Sequence, residues 1–163
     1  MKKTLLAILI LISASVSVSA QDGKSIYNKY SDSENVSAVY ISPAMFRLIG
    51  RLPETDINGS SMDLSSIVSS LRGMYVLESK NSNINNNLRK DALKFINTGK
   101  YELLMEVKDN GETVNVFTAG KDDSVSSFVL IANEEDTCTF ICLDGNMSRK
   151  QLERIIAGAS QSE

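Results

Sequence analysis

Histidine is absent from this sequence of 163 residues, and so is tryptophan. A serine or cysteine nucleophile would therefore have no imidazole base, and zinc would have no imidazole ligand. Two cysteines are too few for a four-thiolate zinc site. Neither a glycine-rich phosphate-binding loop nor a G-x-S-x-G nucleophile elbow occurs. An enzyme built on this chain would have to rely on carboxylates, lysine or tyrosine, so the sequence leans away from an enzyme. It assigns no catalytic, cofactor-binding or metal-binding residue, and no cofactor is expected.

The first 20 residues have the pattern of a secretory signal peptide. Lys2 and Lys3 precede an unbroken apolar run from Leu5 to Ile12, and small residues lead to Ala20. The run is shorter than the ~20 apolar residues that span a bilayer, so cleavage before Gln21 is predicted. No cysteine near the end of this segment offers a lipid anchor. The sequence predicts a periplasmic or secreted protein with no transmembrane helix after cleavage.

Residues 21–163 are predicted to form one acidic domain. Cleavage removes two of the 17 basic residues and none of the 20 acidic ones, so the net charge moves from −3 to −5. Such a charge disfavours nucleic acid and anionic lipid as partners, because both require Lys and Arg. The chain has only two prolines, and it contains no Pro- or Gly-rich linker and no internal repeat. The sequence does not specify an oligomeric state.

The hydrophobic pattern predicts an α+β domain with helix, strand, two helices, strand, helix, four strands and a last helix. The four later strands are residues 101–108, 112–119, 125–132 and 137–143, and Asn110-Gly111 is a hairpin turn between the first two. We expect an antiparallel sheet that ends in a four-strand meander, with amphipathic helices packed mainly on one face. The other face is predicted to mix Glu102, Glu106 and Asn115 with apolar residues.

Each helix is marked by an apolar stripe and by end signals. The stripes are Ile26, Tyr27 and Tyr30; Met45, Leu48, Ile49 and Leu52 after Ser42-Pro43; Leu64, Ile67, Val68 and Leu71 between Asp63 and Gly73; Ile84, Leu88, Ala92, Phe95 and Ile96 before Thr98-Gly99; and Leu152, Ile155, Ile156 and Ala159 after a capping box of Ser148 and Gln151. The loop Asp144-Gly145-Asn146 is predicted to lead into this last helix and to cap it, and the alternative is that its backbone N–H groups bind an anion.

The two cysteines are predicted to be buried free thiols. Cys138 and Cys142 lie four residues apart in a segment typical of a strand, with Phe140 between them on the same face. Four residues of strand span roughly 13 Å, whereas a disulfide needs Cα atoms within about 7 Å. A disulfide through irregular backbone or between chains is the alternative.

Acidic residues concentrate between positions 122 and 144. Asp122, Asp123 and Asp144 are expected at one end of the sheet, and Glu134, Glu135 and Asp136 at the other. The main interpretation is that they are solvated turn residues. Calcium binding or an acid/base pair remain as alternatives, although no Asp-x-Asp-x-Asp-Gly loop supports calcium.

Three other groups are interpreted first as ordinary structure and second as contact surfaces. They are the basic residues Arg89, Lys90 and Lys94; the tyrosines Tyr27, Tyr30, Tyr40, Tyr75 and Tyr101; and the serines Ser65, Ser66, Ser69 and Ser70. The basic residues are expected on a solvated helix face, and the tyrosines at the edge of the core or along an aromatic groove.

Four segments together resemble an exported bacterial family, domain of unknown function 4252. They are Ile26-Tyr27-Asn28-Lys29-Tyr30; Val39-Tyr40-Ile41-Ser42-Pro43-Ala44-Met45-Phe46-Arg47-Leu48; Leu71-Arg72-Gly73-Met74-Tyr75-Val76-Leu77-Glu78; and Gly99-Lys100-Tyr101-Glu102-Leu103-Leu104, leading to Asp109-Asn110-Gly111. The resemblance extends from Ile26 to the last helix. It implies an envelope protein with one α+β domain, and it implies no activity, cofactor or catalytic residue.

The leading functional hypothesis is a non-enzymatic binding or interaction module of the cell envelope, with an envelope protein as its partner. An exposed sheet edge that accepts a partner strand would serve this function, and so would a strongly apolar open face. Two alternatives stay open. One is a carboxylate-based hydrolase that uses two of Asp122, Asp123 and Asp144, and the other is a self-associating structural component of the envelope.

Overall fold

The computed structural model describes residues 22–49, 68–121 and 123–150. The helices are α1 (Gly23–Tyr30), α2 (Pro43–Ile49) and α3 (Ser82–Thr98); the strands are β1 (Val36–Ile41), β2 (Leu71–Ser79), β3 (Glu102–Asp109), β4 (Glu112–Lys121), β5 (Ser124–Asn133) and β6 (Cys138–Ser148). Residues 68–70 and 149–150 are also helical. The predicted signal peptide, residue Leu52, most of the helix predicted from Asp63 and the stripe from Leu152 lie outside the described ranges.

The strands form one six-stranded sheet in the order β1-β2-β6-β5-β4-β3. Every neighbouring pair is antiparallel. The predicted α+β class is therefore confirmed. In the parts of the chain that the structure describes, no helix is long and apolar enough to cross a membrane.

A hydrophobic core joins α1 and α3 to the central strands. Helix α3 buries Leu88, Ala92, Phe95 and Ile96, which are four members of its predicted stripe. They pack with sheet residues from β2, β5 and β6: Tyr75, Leu77, Val129, Ile131, Cys138, Phe140 and Cys142. The core thus occupies one face of the sheet.

Local signals explain why α1 and α3 begin and end where they do. The Asp22 side chain accepts a hydrogen bond from the Ser25 backbone N–H at 2.7 Å, and Asn81 caps the first turn of α3 in the same way. Gly99 follows the last residue of α3, as predicted, and its N–H donates to carbonyls of the last turn. These caps satisfy backbone groups that a helix leaves unpaired at its ends.

The opposite side of the sheet, here called the second face, is also rich in apolar residues. Because side chains alternate along a strand, Val116 and Ala132 lie opposite the core, and both are buried. The cross-strand register places these residues on the second face: Val39, Ile41, Met74, Val76, Met105, Val107, Val114, Phe128, Leu130, Ile141 and Leu143.

Three sequence-based predictions are wrong at element ends and orientations. Strand β2 begins at Leu71, where a helix was predicted, and β6 continues to Ser148 through the predicted loop Asp144-Gly145-Asn146. The two extensions pair with each other, with Gly73 opposite Asp144. A Cβ at Gly145 would lie 2.9 Å from the Ser70 carbonyl oxygen, so this close approach requires glycine.

The third error concerns α2. Ser42 caps this helix as predicted, with its hydroxyl accepting from the Met45 N–H at 3.2 Å. However, Met45 and Leu48 of the predicted stripe are 47% and 62% exposed, and Phe46 is buried instead. A helix of seven residues that starts one residue after β1 has its orientation set by the strand before it and by its contact with β2.

Candidate protein-interaction edge

Strand β3 forms one outer edge of the sheet. All eight of its residues are exposed. Four of them are large and apolar: Leu103 (53% exposed), Leu104 (45%), Met105 (49%) and Val107 (47%). Exposed apolar side chains on an edge strand, next to unpaired backbone groups, are the arrangement that favours pairing with another strand.

The hairpin turn determines which backbone groups of β3 point outward. Asn110 and Gly111 have φ values of 45° and 95°, and Asp109 pairs with Glu112, which together define a two-residue type I′ turn. Such a turn closes on a hydrogen-bonded pair, so Asp109, Val107 and Met105 direct their N–H and C=O groups to β4. Glu106 and Lys108 therefore direct theirs away from the sheet.

A bulge interrupts β3 between Leu103 and Met105. The extra residue changes the alternation, so Glu102 lies on the second face while Glu106 lies on the core face with Asn115. The expectation that Glu102, Glu106 and Asn115 share one face is therefore wrong for the last two. Bulges and charges are devices by which natural edge strands limit uncontrolled pairing. The bulge restricts the open part of this edge to residues 106–109.

Two charged side chains mark this open part. Lys108 Nζ lies 2.7 Å from Glu106 Oε1, and Asn115 Nδ2 donates to Glu106 Oε2 at 2.9 Å. The hydrogen bond from Lys108, followed by that from Asn115, holds the pKa of the Glu106 carboxyl below its usual range. Both charged side chains lie at the surface, and that of Lys108 is the more exposed.

The tyrosines fall into separate clusters. Tyr40 on β1 stacks on Tyr75 of β2 with centroids 5.2 Å apart, and Tyr27 lies 6.1 and 5.8 Å from these two rings. The three rings thus lie close together at the border of the core. Tyr30 donates to Asp91 at 2.6 Å. Tyr101 donates to Ser127 at 3.0 Å.

Asp144 takes part in a polar network within the sheet. Ser127 Oγ donates to Asp144 Oδ1 at 2.9 Å, and the Cys142 thiol donates to the same oxygen at 3.5 Å. Burial, together with the nearby Asp144 charge, raises the pKa of the Cys142 thiol. The network holds the thiol in its protonated form.

The other predicted carboxylates divide between the two ends of β5. Asp123 precedes this strand, and Glu134, Glu135 and Asp136 follow it. Asp122 lies outside the described residues. The acid/base pair of the hydrolase alternative therefore stays a prediction.

Both cysteines are free and buried, as predicted. They lie on the same face of β6 with Phe140 between them. Burial raises the pKa of the Cys138 thiol to about 11. Neither thiol is therefore a ready nucleophile at neutral pH.

A polar cleft of about 610 Å³ lies at the end of the sheet that carries the Asn110-Gly111 turn. Its lining includes Asn85, Arg89, Glu112, Asn133, Glu134 and Glu135. Asn85 Nδ2 donates to the Asp136 carbonyl at 2.8 Å, while Asn85 Oδ1 is buried and has no hydrogen-bond partner among the described residues. Arg89 thus reaches this cleft, and Lys90 and Lys94 are exposed on α3 as predicted.

A family model described as "Domain of unknown function (DUF4252)" matches residues 30–155. The match covers most of the chain. The chain belongs to this family. No curated protein and no solved structure matches the DUF4252 chain. The family assignment confirms the resemblance inferred from the four sequence segments, and it adds no activity.

Sequence reasoning did not single out the apolar residues of β3. A signal was present, because Leu103-Leu104-Met105 is an uninterrupted apolar run in a strand whose other residues are mostly charged. Whether such a run faces the core or the solvent depends on the place of the strand in the sheet. The strand order alone makes β3 an edge.

Proposed function

We propose that this DUF4252 domain is a non-enzymatic binding module of the cell envelope that binds a partner protein along strand β3. The observation that carries the proposal is that all eight residues of β3 are exposed, with four large apolar side chains roughly half exposed. In strand addition, backbone hydrogen bonds supply affinity and alternate side chains supply specificity. Strand β3 offers both.

The rest of the domain serves as the scaffold for this edge in our proposal. We take β3 to β6 to act as a four-strand meander, with α1 and α3 supporting its central strands from one face. Residues 1–20 would direct the protein to the periplasm or out of the cell, where an envelope protein is the partner. The free edge lies at the far side of the meander from α1, so a partner could pair there without displacing any helix that the structure describes.

A matched pair of variants tests the proposal. Val107 on β3 is 47% exposed and Val39 on the opposite edge strand β1 is 50% exposed, so each can be changed to Lys at similar cost. The full-length gene with a C-terminal tag would be expressed in cells, crosslinked before lysis and purified. We expect Val107→Lys to lose most of the crosslinked protein and Val39→Lys to retain it.

Both variants should keep the far-ultraviolet circular dichroism spectrum of the parent protein, which checks that they fold. Retention of every crosslinked species by Val107→Lys would contradict the proposal. Loss of the crosslinked protein in Val39→Lys alone would also contradict the proposal and would indicate that the partner binds β1.

A further inference from the structure

The charges of β3 point to a second copy of the same chain as the partner. We propose that two copies pair antiparallel through β3, with Val107 of each copy on the two-fold axis. This inference rests on the proposed function, because it requires β3 to accept a strand. It goes further by naming the occupant and the register.

Backbone geometry restricts the register. A hydrogen-bonded antiparallel pair forms only where the N–H and C=O groups of both residues point outward. In the open part of β3 these residues are Glu106 and Lys108, and the bulge between Leu103 and Met105 interrupts the series beyond them. Three symmetric registers remain, in which Glu106 faces Glu106, Lys108 faces Lys108, or Glu106 faces Lys108.

Charge selects among the three registers. Like charges directly opposite each other destabilise a strand pair, and opposite charges stabilise it. Only the register centred on Val107 places Glu106 opposite Lys108, and the two-fold axis repeats that contact. The strand is thus self-complementary, as an isologous interface between identical chains requires.

Apolar side chains support the same register. Val107 lies on the second face, and it would meet its symmetry mate as a non-hydrogen-bonded pair, in which side chains approach most closely. Met105 and Val114 lie beside it on that face. Pairing would therefore bring together the apolar second faces of two sheets and cover side chains that are half exposed in one copy.

Charge reversal provides the first test, with protein purified from the full-length gene and analysed by sedimentation velocity. The parent protein should form a dimer that weakens with added salt. Glu106→Lys alone and Lys108→Glu alone should each weaken the dimer about tenfold, because each places two like-charge contacts in the interface. An equimolar mixture of the two variants should recover the dimer, since their edges are complementary.

A disulfide trap provides the second test. Val107→Cys places a thiol on the axis, where Cα atoms of a non-hydrogen-bonded pair are about 4.5 Å apart, within disulfide range. Mild oxidation should therefore link two copies. Met105→Cys is the control, because its symmetry mate would be offset by four residues, roughly 13 Å along the strand. The native thiols are buried, so the parent protein should not crosslink.

Three results would overturn the inference. They are a parent protein that stays monomeric at high concentration, variants that fail to complement in the mixture, and crosslinking of Met105→Cys in place of Val107→Cys. If the parent is monomeric while Val107→Lys still loses a different crosslinked protein, the proposed function stands and only the second copy is wrong. If Val107→Lys loses nothing, both are wrong.

Discussion

The two outer strands of the sheet, β1 and β3, differ in how they are supported. Tyr40 on β1 is 44% exposed, yet it stacks on Tyr75 and lies near Tyr27 of α1. Leu104 on β3 is 45% exposed, and no helix of the described chain packs on its strand in the core. Nearly the same exposed fraction therefore reflects different surroundings on the two strands. On β1 the exposed side chain still belongs to a packed cluster, and on β3 it is available to a partner.

Removal of the support under β1 should have the largest effect. Ile26 of α1 is fully buried in the core, so Ile26→Ala should lower the free energy of unfolding by about 3 kcal/mol. Hydrogen exchange should then increase at β1 amides more than at β3 amides. Denaturant unfolding followed by exchange measurements checks both statements. An equal increase on the two edges would show that α1 supports the whole sheet.

Truncation of Tyr40 on β1 and of Leu104 on β3 should change the free energy of unfolding by smaller amounts. Tyr40→Ala removes a stacked ring and should cost about 1 kcal/mol or more. Leu104→Ala should change stability by less than about 0.5 kcal/mol, as expected for a surface position outside the core. Urea unfolding of the monomer at low protein concentration measures both variants. A larger loss for Leu104→Ala would mean that β3 is packed and not free.

The pH dependence of stability should also distinguish the α1–α3 contact from strand β3, with a smaller effect than the truncations have. Asp91 of α3 binds Lys29 at 2.5 Å and Tyr30 at 2.6 Å, which ties α1 to α3. Burial of Asp91 raises its pKa, but the hydrogen bonds from Lys29 and Tyr30 outweigh burial, and the net pKa is lowered. A lowered carboxyl pKa stabilises the fold above the unfolded pKa of about 4, and this contribution disappears as the pH falls through the folded pKa.

Asp91→Asn should therefore reduce the loss of stability between about pH 4 and pH 2. Glu106 also has a lowered pKa, but its side chain lies at the surface, where solvent screens the interaction, so Glu106→Gln should leave the acid profile nearly unchanged. Melting temperatures across this pH range compare the two variants. If the melting temperature depended less on pH in Glu106→Gln alone, Glu106 and not Asp91 would be the source of the acid sensitivity.

The smallest effect should appear in individual amides of β3. The N–H groups of Glu106 and Lys108 point outward, and those of Met105 and Val107 bond to β4. We expect protection of the first two amides to rise with protein concentration and that of the second two to stay constant, as NMR hydrogen exchange can show. If hydrogen exchange at all four positions is independent of protein concentration, the β3 edge does not pair in solution.

Elements with strong local signals were predictable from the sequence. Helix α3 follows its apolar stripe between Asn81 and Gly99, and Asn110-Gly111 forms the predicted turn. The cysteine spacing likewise predicted free thiols, and both thiols are free. These features depend on residues close to one another in the chain, so the sequence is enough to predict them.

Features that depend on distant pairing were not predictable. The first residues of β2 become strand because they pair with the end of β6, and neither segment resembles a strand by itself. The bulge in β3 reverses the face of Glu106, and packing against β2 selects Phe46 of α2. Each outcome depends on the register or the packing of the segment against another part of the chain, which the local pattern does not identify.

The sequence by itself determined the α+β class, the family, the absence of imidazole chemistry and the charge pattern Glu106-Val107-Lys108. Those properties depend on composition and on short periodic patterns. Only the tertiary structure decided that β3 is an outer strand, that its apolar residues face solvent and that Glu106 and Lys108 direct their backbone groups outward. Strand order and hydrogen-bond register arise from contacts between distant segments, and they turn an ordinary charged strand into a candidate interface.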